Sequence, residues 1–153
     1  MLSIRLICVG KLGEKFWKQA CDEYEKRLGA YCKLEIIELP EQRLPDAPSA
    51  GQIEMALKKE SELIESKIPS GATVIAMCIE GKQLSSEELS QKLEDIALCG
   101  KSTVTFIIGS SFGLSDKIKK MSDFKFSMSK MTFPHKLARI MLTEQVYRAF
   151  SIS

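Results

Sequence analysis

A chain of 153 residues, 44% hydrophobic and 27% charged, falls within the range of one globular domain with a self-sufficient core. No apolar run exceeds about six residues, which excludes a membrane-spanning helix. Net charge is only +2, but Lys117 to Arg148 carries +6 and the remainder −4, a bias that fits a polyanionic partner or, equally, a solvated helix face.

Taken in order, Ser3 to Val9 reads as a first strand rather than a signal peptide, because no basic region precedes it and no small-residue cleavage site follows. Gly10 to Gly13 is a turn. Glu14 to Arg27 places Phe16, Trp17, Ala20, Cys21, Tyr24 and Leu28 at helical spacing, and Gly29 stops that helix. Lys33 to Leu39 is a second strand. Pro40 to Gly51 is a proline-rich loop, expected to be the mobile one. Gln52 to Ile68 is an amphipathic helix. Thr73 to Ile79 is an apolar strand covered on both faces, and Glu80 to Ser85 a loop. Ser85 or Ser86 caps a helix with Glu87 and Glu88 in its first turn, running to Leu98. Thr103 to Ile108 is a strand, Ser115 to Met121 a short helix, and Asp123 to Ser127 a short strand. Pro134 stands as the first residue of a helix that runs to Ile152. Such alternation argues for an α/β fold with a mainly parallel sheet flanked by helices.

Five cysteines, Cys8, Cys21, Cys32, Cys78 and Cys99, contain no C-x-x-C pair, so a reducing cytoplasm with buried structural thiols is expected. The single histidine, His135, rules out a histidine-cluster metal site, and no Cys/His ligand spacing remains.

Ligands of open α/β sheets bind beyond the carboxyl ends of the strands. Three strands end in unusual sequences: Glu80-Gly81, Gly109 to Gly113, and Ser127 to Phe133. Glycines at 109 and 113 permit close approach to a ligand; a tight turn without one is the alternative. Neither G-x-G-x-x-G nor a P-loop is present. Ser127, Ser129 and Thr132 offer hydroxyls to a polar ligand and Met128, Met131 and Phe133 an apolar slot, or the segment simply caps the last helix. That helix is apolar on more than one face, which points to a second subunit. Arg139 and Arg148 are read as lying on one side of it, able to grip phosphate, with an ion pair to Glu144 as the alternative.

Several stretches together carry a resemblance. These are Val9-Gly10-Lys11-Leu12, Tyr24-Glu25-Lys26-Arg27-Leu28-Gly29, Ile107 to Leu114, Ser127 to His135, Leu137-Ala138-Arg139 and Glu144 to Phe150. Across the whole chain the sequence resembles the RlmH (YbeA) family, bacterial 23S rRNA pseudouridine N3-methyltransferases of the SPOUT superfamily. The resemblance implies one SPOUT-type domain over residues 1–153, a C-terminal trefoil knot, and a homodimer through the C-terminal helix. It implies S-adenosyl-L-methionine held by Met77, Gly109, Met128, Ser129, Lys130, Met131, Thr132 and Phe133. The implied acceptor is N3 of a pseudouridine in helix 69 of 23S rRNA on the 70S ribosome. No metal is implied.

For the chemistry, Arg139 or Lys130 is expected to stabilise charge on the acceptor ring or grip a phosphate. His135 is a candidate base, a capping or core role being its alternative. Lys136, Arg139 and Arg148 are expected at the RNA. Two departures from the family pattern stand out. Ser110 replaces a glycine and is expected to narrow the pocket. The family's C-terminal Gly-x-x-Tyr-His-Lys segment has no counterpart after Ser153. An inactive ribosome-binding protein and a tRNA methyltransferase are therefore the alternative expectations.

Overall fold

The first four strand segments carry apolar side chains at both parities, so each of these strands buries two faces. Ile4, Leu6 and Cys8 face one way and Ile7 and Val9 the other. Val104, Phe106 and Ile108 oppose Ile107 in the same manner. Only a sheet sandwiched between helices satisfies both sets. The computed structural model, which describes residues 2–153, has that architecture.

Its elements are β1 (Ser3–Val9), α1 (Lys15–Leu28), β2 (Lys33–Leu39), α2 (Ala50–Lys67), β3 (Thr73–Gln83), α3 (Ser86–Leu98), β4 (Thr103–Ile108), α4 (Asp116–Met121), β5 (Phe124–Ser127) and α5 (His135–Ile152). The five strands form one parallel sheet in the order β2-β1-β4-β3-β5. Helices α1, α3 and α5 cover one face, through Leu28, Leu89, Leu93, Leu142, Val146 and Ala149. Helices α2 and α4 cover the other, through Ile64 and Ile118. Phe106 is fully buried in β4, and trimming such a residue to alanine costs about 3–5 kcal/mol.

Local signals set most boundaries. Ser49 and Ser85 each accept a hydrogen bond from the third helical N–H, while the side-chain oxygens of Gln52 and Glu88 accept one from the N–H of the cap residue, closing two capping boxes. Pro134 differs from expectation: it is the N-cap of α5, in extended conformation, and the helix begins at His135. Its carbonyl accepts from Ala138 N at 2.9 Å, so the helix starts without a side-chain cap.

The largest departure is in β3. Glu80 to Gln83, expected as loop, continue the strand. Met77 and Lys82 both pair with Phe126 of β5, so residues 78–81 are looped out as a bulge. Gly81 makes this possible, since a Cβ there would lie 2.7 Å from the Lys125 carbonyl group. The proline-rich segment after β2 is anchored at its start: Gln42 N donates to Glu60 of α2 at 2.9 Å. Cys8, Cys21 and Cys32 are buried as expected, but Cys78 is half-buried and Cys99 is exposed. Cys99 sits at the C-cap of α3, where the apolar run has ended.

Candidate active site

The carboxyl ends of β3, β4 and β5 stand side by side in the sheet, and the segments that leave them enclose a cavity of about 350 Å³. Met77 to Glu80 form one wall, Ile108 to Leu114 a second, and Phe126 to Phe133, without Lys130, a third. His135 and Ala138 of α5 close the site. The volume lies within the range of about 300–1,000 Å³ of ordinary ligand pockets. A larger groove of about 610 Å³ runs between α2 and α4. It lies on another part of the surface and is shaped by helix side chains rather than by strand-end loops.

The two loops singled out from sequence therefore meet. In the first, Gly109 lies directly under Gly113: a Cβ at 109 would fall 2.3 Å from the Gly113 carbonyl oxygen. Gly113 has φ +81°, open to glycine at little cost, and its N–H donates to the Ser110 carbonyl at 2.8 Å. The Ser110 hydroxyl donates to Glu60 Oε1 at 2.9 Å. Glu60 lies outside the cavity wall, so that hydroxyl is drawn behind the loop. Ser111 N and Oγ both donate to Glu41 Oε1, at 3.4 and 3.3 Å. Two carboxylates from the β2–α2 region thus hold the glycine loop from behind. Burial pushes the Glu60 carboxyl up from 4.5, against the weaker pull of hydrogen bonds from Gln42 and Ser110.

The second loop braces itself. Ser127 Oγ donates to the Ser129 carbonyl at 2.9 Å, and Ser129 Oγ accepts from Met131 N at 3.0 Å. Those hydroxyls, expected to face a ligand, are already engaged within the loop. Of the residues expected at the cofactor, Met77, Gly109, Met128, Ser129, Met131, Thr132 and Phe133 line the cavity. Lys130 does not; it is exposed between two lining neighbours.

His135 stands at the wall, packed onto the first turn. A Cβ at Gly10 would lie 3.0 Å from His135 Nε2 and 3.7 Å from Glu41 Oε2. Gly10, with φ +109°, thereby lets the start of α5 approach β1. Arg139 is one turn further along α5 and outside the cavity wall. Its side chain is 8% exposed, its NH1 bonds Glu38 Oε2 at 2.5 Å, and its Nε has no partner. Beside it, burial pushes the Cys8 thiol up to about 12. Arg148 is exposed and donates through both Nε and NH2 to Glu144 Oε1. The two arginines do not share a side: nine residues are two and a half turns at about 3.6 residues per turn, so one is buried where the other faces water.

Much of the basic bias is answered internally. Lys117 pairs with Glu65, Lys119 with Glu80, and Lys136 with Glu14 at 2.9 Å. Lys120, Lys125 and Lys130 have no ion-pair partner among the described residues. Sequence reasoning missed Glu41, Glu60 and Lys119, which are ordinary polar residues until the fold gathers them, while Glu80 belongs to a strand end already singled out.

The family description "Predicted SPOUT methyltransferase" matches residues 2–153. The chain belongs to the SPOUT methyltransferase family. It is 52% identical over 151 residues to "Ribosomal RNA large subunit methyltransferase H 1" of Clostridium perfringens strain SM101, covering 99% of this chain and 95% of that protein. It is 50% identical over the same span to "Ribosomal RNA large subunit methyltransferase H" of Streptococcus suis, with the same coverage. Among solved structures, the tRNA (m1G37) methyltransferase of Aquifex aeolicus superposes with a TM-score of 0.57 at 13% identity, covering 95% of this chain and 69% of that one. A probable methylase family protein of Haemophilus influenzae gives 0.55 at 14% identity, covering 99% and 68%. At that identity the likeness of this SPOUT methyltransferase to both is one of fold. No helix is long and apolar enough to cross a membrane among the described residues, and no metal-ligand cluster is present among them.

Proposed function

We propose that this chain methylates large-subunit ribosomal RNA, using S-adenosyl-L-methionine, at N3 of a pseudouridine in helix 69. One observation carries the reading. The relatives that share half of its residues over nearly their full length are ribosomal RNA large subunit methyltransferases. The cavity fits the cofactor. Its walls are mostly apolar, from Met77, Ile79, Phe126, Met128 and Phe133, and glycine at 109 lets backbone come close. A sulfonium nucleoside without phosphates needs no P-loop, and none is present.

The cofactor supplies an already reactive methyl group, so the protein's part is positioning. Gly109, Met77, Met128, Ser129 and Met131 to Phe133 hold and orient the cofactor in this reading. His135, at the wall, is the side chain placed to take the N3 proton. Arg139, held by Glu38, is the positioning cation of the first turns of α5. Lys130, exposed on the lip and unpaired, is placed to meet a phosphate or the charge that develops on the ring oxygens. Lys136 and Arg148 stand at the RNA, after exchanging Glu14 and Glu144 for phosphate.

The reading includes a trefoil knot in the C-terminal part and a homodimer through α5. Two features support them: β5 lies outside β3 with its following loop folded onto the β4 loop, and Leu137, Ile140 and Met141 remain only partly covered on α5. The ribosome places the protein in the cytoplasm. The test is transfer of tritium from labelled cofactor to 70S and 50S particles lacking the modification. Label in 23S rRNA is expected. Label in tRNA alone overturns the acceptor, and association with the ribosome without transferred label makes the chain an inactive ribosome-binding protein. Light scattering at dimer mass is expected; monomer mass refutes the subunit contact.

A further inference from the structure

The wall of the cavity is nearly free of charge. Glu80 and Lys119 are its two formally charged side chains, and they meet: Lys119 Nζ lies 2.5 Å from Glu80 Oε1. Glu80 comes from the bulge of β3 and Lys119 from α4, so nothing local pairs them. The bulge delivers Glu80. Gly81 packs against the Lys125–Phe126 backbone without room for a Cβ, and the looped-out residues 78–80 turn onto the cavity. Lys125 of β5 also bears on Glu80 electrostatically but lies outside the wall. Pairing with Lys119 holds the Glu80 carboxyl below the usual carboxylate range. An ion pair this exposed contributes little to stability.

We infer that Glu80 and Lys119 form the subsite for the α-amino-acid end of the cofactor, Glu80 taking its ammonium and Lys119 its carboxylate. The inference rests on the reading that this cavity holds S-adenosylmethionine. That end of the molecule is a zwitterion, with one positive and one negative group on a single carbon. An acid and a base side by side present the complementary pattern, while the neutral remainder of the wall suits the nucleoside. The two side chains satisfy each other without ligand. With ligand each exchanges its partner for an opposite charge, so neither state leaves a charge unpaired. Charge-assisted hydrogen bonds of this type are the stronger kind.

The test compares two ligands that differ only at that end. S-adenosylhomocysteine carries the zwitterion; 5′-methylthioadenosine keeps the thioether nucleoside and lacks it. Calorimetric titrations of wild type, Glu80→Gln and Lys119→Met are expected to show S-adenosylhomocysteine weakened about ten-fold or more by either substitution. Methylthioadenosine is expected to bind all three within about two-fold. Lys119→Arg, which keeps the charge, is expected to retain S-adenosylhomocysteine. Thermal unfolding midpoints near wild type confirm that the variants are folded. Equal losses for both ligands, or none for either, overturn the subsite while leaving the cofactor reading intact. A wild-type chain that binds neither ligand overturns the cofactor reading, and the subsite with it.

Discussion

The two loops that enclose the cavity are built in opposite ways. The loop from Ser127 to Pro134 is stabilised from within, by serines at 127 and 129 that bond backbone two residues on. The loop from Gly109 to Gly113 has one internal hydrogen bond and a glycine-on-glycine contact, and owes the rest of its support to Glu60 and Glu41 from distant sequence. A self-braced loop keeps its shape through its own side chains. A buttressed loop keeps its shape only while the buttress stands, so substitutions well outside the cavity reach the ligand through it.

The contrast is broken hardest at Gly109. Gly109→Ala places a methyl 2.3 Å from the Gly113 carbonyl oxygen, and backbone must move. We expect a stability loss of about 1–3 kcal/mol, the usual cost of overpacking, with calorimetric cofactor binding abolished. A variant that binds as wild type does would show that the loop is not part of the site.

Next comes the buttress. Glu60→Ala leaves Gln42 N–H and the Ser110 hydroxyl without their acceptor, at about 1–3 kcal/mol in urea unfolding. Glu60→Gln gives the pH signature. Because burial raises the folded carboxyl above its unfolded value of 4.5, the folded chain holds this proton to higher pH than the unfolded chain does. The contribution of Glu60 is fully present below that unfolded value and is lost as pH rises through the folded one. Wild-type stability relative to Glu60→Gln should therefore fall as pH rises from below 4.5 through the raised folded value. A constant difference across that window rejects the assignment.

Smaller effects are expected in the self-braced loop. Ser129→Ala removes the acceptor of Met131 N–H, and a loss of about 0.5–1.5 kcal/mol follows, with cofactor affinity reduced less than in Glu60→Ala. The reverse order would mean that the serine loop is the less independent of the two. Smallest of all is Lys130→Ala, whose side chain is exposed and unpaired. Stability and cofactor affinity should stay at wild-type values while ribosome labelling weakens and loses part of its salt dependence; a fall in cofactor affinity would place Lys130 inside the cavity after all.

Apolar runs, helical spacing and local stop signals mark every strand and helix in the sequence, because the central strands bury two sets of side chains and most helices begin at a serine cap or end near a glycine. Ser3–Val9, Lys33–Leu39 and Thr103–Ile108 coincide with their expected limits. The two cavity loops were equally legible, since glycines after an apolar strand and a serine-methionine run before a proline are rare compositions. The misreadings share a cause. Glu80-Gly81 reads as a turn that ends β3, yet the strand continues to Gln83 because pairing with β5 is resumed past a bulge. Arg139 reads in the sequence as a cation able to grip phosphate or stabilise charge on the acceptor ring, because sequence shows neither the Glu38 that receives it nor the burial around it.

The sequence by itself determined the α/β fold and the position of both loops, which follow from spacing and from short runs whose chemistry is local, and its motifs carried the resemblance to the family. The tertiary structure decided which charges meet. Glu60 under Ser110, Glu41 on Ser111, Lys119 against Glu80 and Lys136 on Glu14 join segments between 39 and 122 residues apart. An ion pair or hydrogen bond depends on a few ångströms of separation, and only the packing of helices onto the sheet fixes distances that short.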